Sequence, residues 1–276
     1  MKWDTWGACV VIMVASACGP NVAQPINPGQ PLSPDAVDGS DATPDLDRGL
    51  VAHYKLDEEN PKMVLDSSGN GHAGIPMNDP LPSTSTPPVG FPDPSSRAFD
   101  GVGQYILVPN SDEMNFSGEI TVAAWVYVAA ITPGCHYVVA HGYCFQPPGE
   151  VFLRIGAGGC EANGTEHNWG VGSWNGAEHS ALAPFYDLDV KVWLHIAGVY
   201  DGTTWRLYRN AVEIARQDSD VGAVPVASDW AIGARPPGVA PCVPAPVERF
   251  FNGLIDDVRI YRRALGPSEI LELYHP

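Results

Sequence analysis

Basic residues are scarce in this chain: Lys and Arg together number 15 against 32 Asp and Glu, for a net charge of −17. Nucleic-acid phosphates are gripped by clusters of Lys and Arg, so this balance argues against a nucleic-acid partner. No run of 18 apolar residues occurs, so there is no ordinary transmembrane helix. Long segments of helical periodicity and internal repeats are also missing. Gly-x-Ser-x-Gly and His-Glu-x-x-His do not occur, and the eight histidines are scattered with no helical pair. What is plentiful is Gly (29) and Pro (27), the composition of a turn-rich chain. One all-β domain with an appendage fits this length and composition.

The appendage is N-terminal. Lys2 and the α-amino group give a weakly positive start, and residues 7 to 17, "GACVVIMVASA", form a short apolar stretch before Cys18. The order Ala15, Ser16, Ala17, Cys18 resembles a bacterial lipobox, although such signals more often carry Leu at the place of Ala15. Residues 1–18 are therefore expected to be a signal peptide whose Cys18 is lipidated. A plain secretory signal cut near "ASA" is the alternative. Residues 19–47 contain six prolines, five aspartates and no Lys or Arg. Such a segment cannot bury enough apolar surface to offset its ordering entropy, and reads as a disordered, self-repelling spacer. Export to the cell envelope follows, with a lipid anchor in the outer membrane or at the cell surface and no other membrane contact.

The domain, residues 48–276, begins where the pattern changes. "LVAHYKL", "ITVAAWVYV", "HYVVAHGY", "EVFLRIGA", "NWGVGSW", "WLHIAGVY", "TWRLYRN" and "NGLIDDVRIY" are short, β-branched and aromatic, and are separated by Gly, Pro, Asn and Asp. Asp201-Gly202 is a hairpin turn. The next turn, Asn210-Ala211, lacks the glycine that positive φ favours, at a cost of about 1 kcal/mol. A single short helix is expected from Pro267 in "PSEILELY". Pro-rich insertions at 79 to 97 and 235 to 246 read as loops.

The ordered set "GLVAHYKLDE", "DSSGNGHAG", "AFDGVGQYILVPNS", "WLHIAGVYDGTTWRLYRNAVEI" and "FNGLIDDVRIYRRALGPSEI" resembles the bacterial laminin-G-like, concanavalin A-like lectin-glucanase domain. The resemblance implies an all-β fold, a two-sheet antiparallel jelly-roll sandwich. It implies a mostly non-catalytic module that binds glycans or proteins and often holds one structural calcium. Trp125, Trp193, Trp205 and His195 fit the family's packing positions, whereas Trp230 has no assigned role.

Four cysteines remain in the exported domain, where disulfides persist, and they allow three pairings. If "HYVVAHGY" and "EVFLRIGA" form a hairpin, Cys135 and Cys160 stand opposite each other at its open end. Cys144 would then join Cys242 and pin the second insertion.

In "NGLIDDVRIY", Asp256 shares the parity of Leu254, Val258 and Ile260, which places a carboxylate on the expected core face. Buried without partners it would cost several kcal/mol. It could accept backbone N–H bonds at a bulge, pair with Arg, or ligate calcium. In the fold this chain resembles, the first and last strands are neighbours, so Asp57, Asp66, Asn70 and Asp256 could converge on Ca2+. Asp257 is expected outside, solvated beside Arg259. Asp100 reads as a turn residue or an extra ligand.

The strands from 137 to 174 offer two faces. Val138, Ala140, Leu153, Ile155, Trp169 and Val171 form the expected core face. Tyr137, His141, Tyr143, Arg154, Asn168 and Trp174 form the other, and all but Tyr137 are the candidate ligand residues. Aromatic platforms beside a few polar groups suit sugar rings. An ordinary amphipathic sheet surface has the same pattern.

Glycan hydrolases of related fold place carboxylates in a Glu-x-Asp-x-x-Glu strand, which is absent here. The expectation is a non-catalytic, lectin-like surface module whose partner is a glycan. A protein-binding adhesion or structural envelope module is the alternative, and a glycan hydrolase the weaker one.

Overall fold

The short β-branched and aromatic segments of the sequence become strands. The computed structural model describes residues 45–156, 167–238 and 246–274. In chain order the strands are β1 (Leu50–Tyr54), β2 (Ile75–Met77), β3 (Pro82–Ser83), β4 (Ser96–Asp100), β5 (Tyr105–Val108), β6 (Ile120–Val128), β7 (His136–Phe145) and β8 (Pro148–Ile155). They continue with β9 (Asn168–Trp174), β10 (Glu178–Pro184), β11 (Trp193–Tyr200), β12 (Thr204–Arg209), β13 (Val212–Asp218), β14 (Trp230–Ile232) and β15 (Asn252–Tyr261). The helix α1 (Pro267–Tyr274) closes the described chain. No helix among the described residues is long and apolar enough to cross a membrane.

Two antiparallel sheets result. One has the order β13-β12-β11-β6-β15-β4-β3, with β1 also on β15; the other runs β10-β9-β8-β7-β14-β5-β2. This is the two-sheet sandwich expected from the sequence. The main core draws Val122, Ala124, Val126, Ile196, Leu207, Ile255 and Ile260 from the first sheet, and Val139, Leu153, Ile155, Trp169, Val171 and Ile232 from the second. On the first sheet's other face, Ile270 and Leu273 of α1 pack on Ala123, Ala197, Val199 and Tyr261.

Register shifts in β15 and β7 reposition candidate residues. In β15 the register with β6 shifts between Asp256 and Arg259, and Asp257 has φ +44°. A bulge inserts one extra residue, so parity reverses across it. Ile255, Val258 and Ile260 all reach the core, while Leu254 and Asp256 do not. Asp256 is therefore not on the core face. It stands opposite Trp125, and its Oδ1 accepts the Asp257 N–H at 2.9 Å, the bulge bond that was one of three options. In β7, register shifts between Tyr137 and Val139 and again between His141 and Cys144. The first turns Val138 and Val139 both inward and moves Ala140 to the outer cluster of Tyr137 and Phe152.

The Asn210-Ala211 turn keeps positive φ at both residues, 51° and 63°, so the strain at Ala211 is tolerated. Asn210 Oδ1 accepts the His195 N–H at 2.9 Å and ties the turn to β11. Residues 45–47, placed in the spacer by composition, belong to the folded unit. Arg263 Nη2 donates to the Asp45 carbonyl at 2.8 Å, and Leu46 packs beside α1. The leader, Cys18 and the rest of the spacer lie outside the described residues.

Cys135 and Cys144 are both disulfide-bonded. Most of β7 separates them, roughly 25–30 Å of extended strand, far beyond the Cα spacing of a single bridge. Their expected partners, Cys160 and Cys242, and hence the pairing, lie outside the described residues.

Candidate functional site

The face of the second sheet away from the core is built in cross-strand rows. Glu150 on β8, Trp174 on β9 and Glu178 on β10 are register partners, so their side chains stand side by side. Two residues along each strand, Phe152, Gly172 and Ser180 form the next row, and Arg154, Gly170 and Leu182 the one after. The glycines leave a trough over β9. The stem of Arg154 lies against Gly170, and its Nη2 donates to Glu178 Oε1 at 2.8 Å. A Cβ at Gly172 would sit 2.1 Å from the His179 carbonyl oxygen, so the close pairing of β9 with β10 depends on glycine there.

Tyr143, Glu150, Arg154, Trp174, Glu178, Arg235 and Arg249 line a cleft of about 180 Å³. That is below the ~300–1,000 Å³ of sites for drug-sized ligands, and matches a single ring or chain end. Its aromatic wall is Trp174, with Tyr143 at 5.3 Å between ring centroids and the exposed Phe145 at 6.3 Å. Arg235 lies 4.1 Å over the Tyr143 ring and pairs with Glu248. Arg249 also pairs with Glu248, at 3.0 Å. Beneath the cleft, the Tyr137 hydroxyl accepts N–H bonds from Arg154 (3.2 Å) and Arg249 (3.3 Å) and is hydrogen-bonded to Glu150. Glu150 is only 4% exposed. Burial pushes its carboxyl up to about 7, although Arg235, Arg154 and Arg249 oppose the shift.

Three of the five expected ligand residues, Tyr143, Arg154 and Trp174, thus meet in one cleft. His141 does not. The first bulge of β7 turns it inward, where it stacks on the buried Trp230 at 4.5 Å and its Nε2 meets the Ser228 carbonyl at 3.1 Å. Burial holds its pKa down at about 3, so it is a neutral core side chain. Asn168 shares Trp174's parity but lies at the other end of β9, beside Pro184. Glu150 was legible, since it alternates with Phe152 and Arg154. Glu178 belongs to β10, which its sequence does not announce. Arg235 and Arg249 come from irregular segments that carry no periodic signal.

A second cleft, of about 620 Å³, opens at the β15 bulge between His53, Lys55, Asp257 and Arg259 on one side and Pro87, Val89, Phe91 and Pro92 on the other. Asp57 and Asp93 also line it. Asp257 is not solvated as expected: His53 Nε2 lies 2.5 Å from its Oδ1, and Arg259 Nη2 lies 3.2 Å from its Oδ2. Burial raises the Asp257 pKa, but the His53 hydrogen bond and the Arg259 charge outweigh it and hold the carboxylate below its usual range.

At this cleft three carboxyl groups meet. Asp93, from the Pro-rich insertion, hydrogen-bonds the side chains of both Asp57 and Asp256. Asp57 Oδ1 and Asp256 Oδ2 are buried without a partner. Burial, with Asp93, Asp257 and Asp57 nearby, pushes Asp256 up to about 10; burial and Asp57 push Asp93 to about 7. The expected calcium set divides here. Asp57 and Asp256 come together, joined by Asp93, which the sequence did not suggest. Asp66 instead organises its own turn, accepting the backbone N–H groups of His53, Ser68 and His72. Asn70 Nδ2 donates to the Leu50 and Val51 carbonyls. Asp100 caps a turn through three backbone N–H bonds. Among the described residues no three such side chains surround one centre as they stand.

Residues 100–271 match the family model described as the concanavalin A-like lectin/glucanases superfamily. No curated protein matches the chain. Among solved structures, domain 4 of AbnA, a GH43 extracellular arabinanase from Geobacillus stearothermophilus in complex with arabinotriose, superposes with a TM-score of 0.58 at 20% identity. That match covers 82% of this chain and 98% of the domain. The binding domain of Paraclostridial Mosquitocidal Protein 1 gives 0.60 at 17% identity, covering 83% of this chain and 52% of that one. The binding domain of Botulinum Neurotoxin DC in complex with SialylT gives 0.55 at 10%, covering 83% and 51%. The chain spans about half the length of these two toxin domains. At such identities the likeness is one of fold.

The carboxyl cluster makes a pH prediction. A carboxyl group raised in the native state binds a proton that the unfolded chain has lost. Its stabilisation is full below about pH 4 and disappears as pH rises through the native pKa. In chelator the melting temperature is therefore expected to fall steadily from pH 5 to pH 9. Asp256→Asn removes the ionising group and flattens the slope by more than about 4 °C. Parallel profiles for the two proteins would refute the shift.

Proposed function

The chain belongs to the concanavalin A-like lectin/glucanase superfamily, and on that premise we propose that it is a non-catalytic, carbohydrate-binding module of the cell envelope. The cleft at Trp174 carries this reading. An indole with flanking Tyr143 and Phe145 gives a ring surface for the C–H face of a sugar, and Arg249 and Glu178 at its edge serve hydroxyl groups. The arabinanase and toxin domains of related fold, seen with arabinotriose and SialylT, support a glycan as the partner class. A non-catalytic role is supported by the carboxyl arrangement. Glycosidases need two carboxyl groups flanking the scissile bond. Here Trp174 stands between Glu150 and Glu178, Glu150 is buried, and Glu178 is bound by Arg154 and Ser180. A glycan array probed with the protein and with Trp174→Ala tests the reading. Binding is expected to fall at least about tenfold in the variant at unchanged melting temperature, the value of one lost stacking contact. Uniform silence on the array would remove the lectin function.

Structural calcium is proposed at Asp57, Asp93 and Asp256. Their hard oxygen donors suit Ca2+, which takes 6–8 of them, and two buried carboxylate oxygens lack partners. The ion would replace the protons the cluster now shares. The melting temperature should rise by several degrees on adding Ca2+ at pH 8, and should not in Asp256→Asn. No change in the unaltered protein would sink the calcium reading.

Export is supported by the disulfide-bonded Cys135 and Cys144, and lipid anchoring by the lipobox at Cys18. Metabolic labelling with a fatty acid should mark the protein and not Cys18→Ser. Equal labelling of the two would exclude Cys18 as the anchor.

A further inference from the structure

We propose that the Trp174 cleft is selective for an acidic sugar, a ring bearing a carboxylate, which docks against Arg235 and Arg249 while a ring hydroxyl meets Glu150. The proposal rests on the glycan reading above and names the class of ligand. A neutral sugar needs an aromatic platform and scattered hydrogen bonds; it does not need buried cations. Yet three of only 15 basic residues in a chain of net charge −17 converge on this one cleft. Arg154 and Arg235 are 3% and 8% exposed, a costly placement for guanidinium groups unless anions face them.

The protein's own anions meet that demand incompletely. Glu178 faces Arg154, and the single carboxylate of Glu248 faces both Arg235 and Arg249. The third acid, Glu150, keeps its proton up to about neutral pH. Two carboxylates therefore face three guanidiniums whenever Glu150 is protonated. The hydrogen-bond inventory points the same way. Glu150 Oε1 and Arg154 Nε, an acceptor and a donor, are buried without partners. Unmade bonds of this kind favour a ligand that brings both kinds of group. A carboxylate beside a hydroxylated ring does so, and guanidinium binds carboxylate with matched planar geometry.

Proton linkage follows from the same arrangement. The groups facing Glu150 are Tyr137 from β7, Arg154 from its own strand, Trp174 from β9, and Arg235 and Arg249 from the loops. A ligand carboxylate arriving beside the arginines repels ionised Glu150 and favours its protonated form. Affinity for an acidic sugar should therefore decline as pH rises through neutrality; affinity for a neutral one should not.

Calorimetric titration of the full chain with trigalacturonate and its methyl ester, and with 3′-sialyllactose and lactose, tests this at pH 6 and pH 8. At least one acid is expected to bind about tenfold to a hundredfold more tightly than its uncharged counterpart, the value of one charge-assisted hydrogen-bonded pair. That preference should shrink several-fold at pH 8 and vanish in Arg249→Ala, whose side chain lies at the cleft rim. Equal binding of acid and neutral partner, lost in Trp174→Ala, would overturn the acidic selectivity and leave the glycan reading intact. Equal tight binding of inorganic sulfate would overturn it in favour of a simple anion site. Binding of no sugar, here or on the array, would overturn both. If Arg249→Ala fails to fold, the ester comparison on the unaltered protein decides alone.

Discussion

Burial of one carboxyl group among three guanidiniums shapes the face on which this module's proposed function rests. Glu150 sits beside Trp174, held by the Tyr137 hydroxyl and surrounded by Arg154, Arg235 and Arg249. Desolvation penalises its charge, and the arginines only partly offset that penalty. The result is a group poised between donor and acceptor near neutral pH, at the floor of a cleft with an aromatic wall. Remove the carboxyl and three cations lose a neighbour that becomes their counterion only as pH rises past about 7. Remove the arginines and the acid stays neutral, with nothing to gather an anionic ligand.

Register makes the arrangement possible. The face exists because Glu150, Trp174 and Glu178 pair directly across three strands, and because Arg154, lying against Gly170, reaches over β9 to Glu178. On the other sheet a bulge in β15 does comparable work. It reverses parity after Asp256, so that Ile255 and Val258 both enter the core while two consecutive aspartates remain outside it. Asp256 can then meet Asp57 and Asp93, and Asp257 can meet His53 and Arg259. A single inserted residue re-aims several side chains at once.

Most strands, the hairpin at Asp201 and the terminal helix were legible, because each is written in local alternation and turn chemistry; the two-sheet sandwich was implied by the family resemblance. Tyr143, Arg154 and Trp174 were legible for the same reason. The failures share a cause. His141 and Asp256 were assigned faces by strict period-2 counting, which a bulge breaks without leaving a distinct sequence mark. Asp93, Arg235 and Arg249 come from irregular segments brought in by tertiary folding. Asp66 and Asn70 were credited to a metal when backbone groups of their own turn already occupy them.

The carboxyl resonance of Glu150 gives the most direct measurement. A 13C titration, assigned by comparison with Glu150→Gln, should show a midpoint of about 7 for the folded protein without ligand. A midpoint near the ordinary value of 4.5 would contradict the buried, arginine-ringed carboxyl on which the cleft's proposed chemistry depends.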